Sequence, residues 1–365
     1  MKRALAILLP LLLFALLPLA TSATSPEEYL ATLYDSLPAL SRDALPSDPA
    51  DTEALLETVG VRHLVSVLLS GIEGATPALV RTLLTLMGLT LLFALLALLR
   101  EGLGSAARVA DAALGCVLVL VIYDRFSGLF ERAAAYLADL CTLAEVSAPV
   151  MGGLYLAGGN TASAAVAGGG MAALSLLLEL LSGRALLPLL RVMLGFLLVS
   201  AIGEVKTEGL TASLRTLFVT LLGFFSVLVM AAQALGHAIG SASDTLTLRT
   251  MRFALGQMIP IVGGTVAGSL GTAMASVALV RSTAGVTVAA AILLPLLPLL
   301  AELILSRMVL SLAGTVAGLL GAAAPVRLLR SFRSLFDLVL AAVAFAGLLF
   351  LFLAATLART VPALL

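Results

Sequence analysis

The chain has 365 residues, 21 basic against 21 acidic, and hydrophobic residues make up 61% of it while charged residues reach only 12%. Its mean hydropathy is +1.15, an apolar excess that no aqueous core absorbs, so the natural solvent is lipid. A zero formal charge points to neither nucleic acid nor an anionic soluble partner. The apolar runs are continuous rather than alternating, which excludes a β-barrel. The composition predicts an all-α polytopic membrane protein.

Residues 1–23 read as a signal peptide: Lys2 and Arg3, an apolar run, then small residues at Thr21 and Ala23. Residues 24–77 are the most polar part and contain Pro26, Pro38, Pro46 and Pro49. Ser25-Pro26-Glu27-Glu28 has the order of a helix start, cap then proline then acids. This predicts a small extracytoplasmic helical head, with His63 a surface residue. Residues 78–365 form the polytopic membrane domain.

Ala78 to Leu99 is the first span, and Arg100 to Arg108 suits a cytoplasmic loop. Val109 to Tyr123 returns outward. Beyond it, Phe126, Leu129, Phe130, Ala133, Leu137 and Leu140 recur at helical spacing. Arg125, Glu131, Arg132 and Asp139 lie opposite, so 124–146 reads as an amphipathic helix on the membrane surface or against a partner. Pro149 to Gly170 is rich in Gly and Ala, which permits close helix packing or a broken segment. Ala172 to Leu181 runs inward and Leu186 to Ile202 outward. Gly203 to Arg215 is a polar loop on the outer side, and Leu217 to Leu235 crosses inward.

Thr247 to Arg281 is the most unusual stretch. Arg249 and Arg252 share one helix face. Pro260, Gly263 and Gly264 interrupt the apolar run that follows, Gly268 completes a small-xxx-small step, and Arg281 marks the far end. A kinked or re-entrant element is expected here. Val286 to Leu305 crosses back, carrying Pro295, Pro298 and Glu302, with Arg307 just inside. Val309 to Ala324 is short: a span, a re-entrant segment or an interfacial helix. It repeats the pentapeptide GTVAG of Gly264 to Gly268 at Gly314 to Gly318. Arg327, Arg330 and Arg333 form the densest basic cluster and should be cytoplasmic. Leu338 to Leu357 is the last span, for about seven in all.

No P-loop, dinucleotide fingerprint or nucleophile elbow occurs. Two histidines and two separated cysteines, Cys116 and Cys141, offer no zinc site. The residues therefore predict no enzyme, no catalytic group, no metal and no cofactor. They predict two unpaired thiols.

The segment from Leu248 to Gly264, LRTMRFALGQMIPIVGG, resembles the signature of the stage III sporulation protein AE family. In that family an Arg-Thr pair, here Arg249-Thr250, precedes a basic residue and an Ile-Pro-Val-Val-Gly-Gly-like turn. The resemblance is strong from about Gly203 to Leu353. Arg252 and Arg281 stand where that family carries lysine, which keeps charge but changes geometry. The span from Val286 also lacks the lysine associated with its inner end. The resemblance implies a membrane subunit of a channel complex between mother cell and forespore, supporting forespore development after engulfment. It implies the mother-cell membrane around the forespore as location, with other membrane proteins of that complex and the bilayer as partners. A secondary transporter or pore for a small solute is the alternative. Arg249, Thr250, Arg252, Pro260, Gly263, Gly264, Gly268, Arg281 and Glu302 are the structural, partner or pathway candidates under both.

With Cys116 and Cys141 replaced, a cysteine introduced by Arg330→Cys should react with an impermeant maleimide from the cytoplasmic face only. Labelling from outside would mean that 309–324 crosses the bilayer.

Overall fold

The computed structural model describes residues 26–35, 37, 42, 45–46, 52–103, 105–157, 161–181, 187–202, 209, 212–220, 222–224, 227, 231 and 263–359. Among these, helix dominates and no strand occurs. Two short helices come first, α1 (Pro26–Asp35) and α2 (Thr52–Thr58). Then follow α3 (Val61–Leu103), α4 (Ser105–Ala157), α5 (Thr161–Glu179), α6 (Leu187–Ile202), α7 (Gly263–Leu319) and α8 (Ala323–Arg359). Among the described residues, four apolar stretches are long enough to cross a membrane: Val61–Leu99, Ala106–Leu156, Thr283–Leu319 and Ala323–Leu351. The chain is thus helical with membrane-spanning potential.

The helices are longer than the apolar runs suggested. At 1.5 Å per residue, α7 extends about 85 Å and α4 about 80 Å, against a hydrocarbon core of about 30 Å. The amphipathic stretch 124–146 is continuous with Val109 to Tyr123 inside α4. The residues from Val309 onward are the end of α7, joined without a break to the span from Val286. Helix continuity needs no new nucleus at such junctions, because each added residue offsets its ordering cost with a backbone hydrogen bond to an existing helix.

α7 and α8 form an antiparallel hairpin. It closes at Gly321, whose φ of 71° is the left-handed conformation that glycine adopts without strain. Gly321 N–H donates to Gly318 O at 3.1 Å and Ala322 N–H to Ala317 O at 3.0 Å. These two bonds are the Schellman pattern and satisfy the last carbonyls of α7. One register runs along the seam: Gly318 opposite Val326, Gly314 opposite Leu329 and Leu296 opposite Gly347. In the second GTVAG copy, an added Cβ would sit 3.8 Å from Leu329 at Gly314 and 3.9 Å from Val326 at Gly318. That is ordinary contact, so these glycines set spacing without being forced. The first copy, at Gly264 to Gly268, lies in the described backbone of α7 with undescribed side chains.

α3 and α4 run antiparallel across the junction between Leu103 and Ser105. Gly71 and Tyr136 lie nearly equally far along the chain on either side of it, and both reach α7 near Pro295 and Pro298. That junction and the turn at Gly321 therefore lie toward the same end. The core row read in α4 is real: Phe126, Leu129, Phe130, Ala133, Leu137 and Leu140 are all buried. It packs within the chain, against α8, where Phe126 and Phe130 meet Phe336 with ring centroids 4.9 and 5.0 Å apart. Leu33, Tyr34, Leu37, Leu45 and Leu55, from the segment read as a head, are buried in the same core as the long helices. His63 is exposed, as expected. Cys116 and Cys141 are both free thiols.

At Gly71, an added Cβ would lie 2.7 Å from Pro298 Cβ and 2.9 Å from its Cα. The second of these is backbone, which cannot swing away. Gly71→Ala should lower unfolding stability in detergent by roughly 1–3 kcal/mol. Gly74→Ala, where a Cβ meets nothing within 4 Å, should be neutral or slightly stabilising, since alanine favours the helix.

Candidate functional site

Three helices converge on the two prolines of α7. Proline carries no N–H, so Pro295 and Pro298 supply no donor to the carbonyls of Ala291 and Leu294 one turn earlier. Close to this interruption, the Tyr136 hydroxyl of α4 donates to Ile292 O at 3.3 Å, in a buried position. Gly71 of α3 lies against Pro298, and Gly347 of α8 against Leu296 and Tyr136. A Cβ at Gly347 would come within 2.8 Å of Leu296 Cδ2 and 3.0 Å of the Tyr136 hydroxyl oxygen. The small residues on α3 and α8 thus make room for the proline-bearing turns of α7 and for the phenol beside them.

Charged pairs follow about one and then two turns further along α7. Arg132 of α4 is paired with Glu302. Arg307 is paired through Nε with Asp337 Oδ1 of α8. Arg215, in the helical piece 212–220, approaches the other oxygen of Asp337 at 3.7 Å. One turn beyond, Arg333 Nη1 donates to Ser311 Oγ at 3.2 Å. The carboxylates are the more enclosed partners, with side-chain exposures of 28% for Glu302 and 18% for Asp337. Two guanidiniums on one carboxylate tie α7, α8 and the 212–220 helix together. Ser306 lies between these pairs, fully buried, and its hydroxyl has no hydrogen-bond partner among the described residues. Such a group costs about 1–3 kcal/mol unless something meets it.

These pairs correct the topology read from the sequence. Asp124 to Val146 and Gly203 to Arg215 were expected on the outer side, and Glu302 and Arg307 at the inner edge. Arg132 pairs with Glu302, and Arg215 sits beside the Arg307–Asp337 pair, so all lie at one level. Ion pairs form where helices pack, and loop charge counting does not sense which helices pack. The basic segments around Arg108 and from Arg327 to Arg333 fall toward one end, that of the α3–α4 junction and Gly321.

Of the candidate residues, the structure brings Glu302 into this network. Arg249, Thr250, Arg252 and Pro260 lie outside the described residues. Gly263, Gly264, Gly268 and Arg281 are in the first part of α7, described as helical backbone only. α7 runs unbroken from Gly263 past Arg281 to Leu319, so the expected interruption does not fall at Gly263, Gly264 or Gly268. Tyr136, Gly71, Gly347 and Asp337 were not singled out beforehand. Asp337 alone carried a signal, as the first acid after a long basic and apolar stretch.

Residues 57–360 match the family model of stage III sporulation protein AE. The chain belongs to the stage III sporulation protein AE family. No curated protein and no solved structure matches it. The family match covers all four long helices, the proline-centred junction and every ion pair described above. Sporulation and a membrane setting are therefore common ground for this AE-family chain.

Asp337→Asn should destabilise the protein by about 1–3 kcal/mol, because two arginines lose their shared charge. Replacing both Arg307→Met and Asp337→Leu should recover most of that loss, measured as thermal unfolding in a double-mutant cycle.

Proposed function

We propose that this protein is a non-enzymatic membrane subunit of a transenvelope channel complex joining mother cell and forespore. It resides in the mother-cell membrane around the forespore and supports forespore development after engulfment. The observation that carries this reading is family membership over 57–360, joined to four helices of membrane-crossing length. In this reading a cleaved signal peptide exports the helical segment 24–77, and about seven spans build the body. Arg249, Thr250, Arg252 and Arg281 act as membrane-edge anchors or partner contacts. Pro260, Gly263, Gly264 and Gly268 shape a close-packed or re-entrant element that other membrane proteins of the complex meet.

The second reading is a transporter or pore for a small solute. It draws on Ser306, a buried hydroxyl without a described partner, set between the Glu302 and Arg307 ion pairs. Polar groups inside an apolar bundle mark pathways when they face a cavity.

The two readings part in sporulating cells carrying Arg249→Ala or Gly263→Leu. A subunit role predicts that co-purification of the complex and passage of solute into the forespore fail together. Loss of passage with the complex recovered intact would favour the conducting role and sink the purely structural one.

A further inference from the structure

Beyond the Arg307–Asp337 pair, the α7–α8 hairpin continues for about 20 Å to its turn at Gly321. Its buried rows are Leu310, Ala313 and Ala317 on α7, and Leu328, Leu329 and Phe332 on α8. At 100° per residue, the opposite face of α7 carries Ile304, Met308, Leu312 and Leu319, all exposed. Leu319 is 83% exposed. The opposite face of α8 carries Arg327 and Arg330, also exposed.

The seam contacts fix how these faces sit. Ser311, Gly314 and Gly318 meet Arg333, Leu329 and Val326 along one flank of each helix. The helices are antiparallel, so with that flank shared, both buried rows look to one side and both exposed rows to the other. The apolar row and the two arginines therefore lie side by side on one outer face.

The charge on that face is one-sided. From 303 to 336 the chain has four arginines and no Asp, Glu or Lys. Arg307 is held by Asp337 and Arg333 by Ser311, whereas Arg327 and Arg330 form no ion pair among the described residues. The same end of the molecule exposes further apolar side chains: Leu91, Leu95 and Leu98 of α3, and Val109, Val117 and Leu120 of α4.

We propose that this outer face of the hairpin is a docking surface for anionic phospholipid in the bilayer that holds the protein. The Met308, Leu312 and Leu319 row enters the acyl boundary, and the guanidiniums of Arg327 and Arg330 reach the headgroup phosphates. Long cationic side chains place their stems along apolar surface and their charge at the phosphate level. A second copy of the chain is disfavoured, because it would set arginines against arginines. A soluble acidic partner would leave the apolar row and its neighbours on α3 and α4 in water. The bilayer satisfies both, and the membrane-crossing helices hold the face close to it. Each arginine near an anionic surface is worth about fivefold in partitioning, so the pair is worth roughly 25-fold.

The chain contains no tryptophan, so Leu319→Trp supplies a single reporter at an exposed position. The full chain with this substitution is placed in nanodiscs of phosphatidylcholine alone or mixed with phosphatidylglycerol, with and without brominated acyl chains. Expected in the anionic discs is blue-shifted emission quenched by bromine. Arg327→Gln with Arg330→Gln should weaken that quenching strongly in anionic discs and little in neutral ones, while Arg327→Lys with Arg330→Lys preserves it. Water-like, unquenched emission in anionic discs would overturn the proposal. So would blue-shifted emission that bromine leaves untouched, which means burial against protein. Equal quenching in both lipids, insensitive to the glutamine pair, would overturn the headgroup contact. Near-native unfolding temperature in the glutamine variant confirms that the fold is not what changed.

Discussion

The seam between α7 and α8 is the constraint on which the other contacts depend. Its register is held at three places by different means. A Schellman turn at Gly321 sets the end, the Arg307–Asp337 pair holds the middle, and the Gly347–Leu296 approach holds the far part. A slip of one residue would turn Asp337 away from Arg307 and bring a side chain to Gly347's place. In a protein so rich in Leu and Ala, apolar contact alone would tolerate many registers. The charged pair and the glycines remove that freedom, as polar residues do for helix pairs generally.

The proline-bearing stretch at Pro295 and Pro298 is the second organising feature, and its contacts depend on that register. A proline-interrupted helix needs room on one side and a donor near its loosened carbonyls. Gly71 and Gly347 provide the room, and Tyr136 provides the hydroxyl, from three different helices. The prolines were visible in the sequence as oddities of one span. Their partners lie far away along the chain, at contact distances no local pattern encodes. Glu302 illustrates the same limit. It was noticed as a carboxylate near a span end, but its guanidinium is on α4, 170 positions earlier in the chain.

Loop charge and hydropathy served well for composition and less well for topology. The amphipathic row from Phe126 to Leu140 was readable because buried positions recur with the helical period. What that row faces was not readable. It packs on Phe336 and its own chain rather than on a membrane surface. Segment boundaries suffered likewise. The spans read as ending at Tyr123 and Leu305 are not helix ends, since the helices run on through Asp124-Arg125 and Ser306-Arg307. At Arg307 the continuing helix meets Asp337 of α8, a partner that only the tertiary structure supplies.

The sequence by itself determined the helical class, the membrane setting and the family. Each of these is written locally, in apolar run length, in helical periodicity and in the short Arg-Thr to Gly-Gly signature. Tertiary structure alone decided that two hairpins turn toward the same end and that Glu302 and Asp337 find arginines on other helices. It also decided that a glycine at 71 answers a proline at 298. Those outcomes rest on packing distance and on the desolvation of charge, which depend on which helices lie side by side.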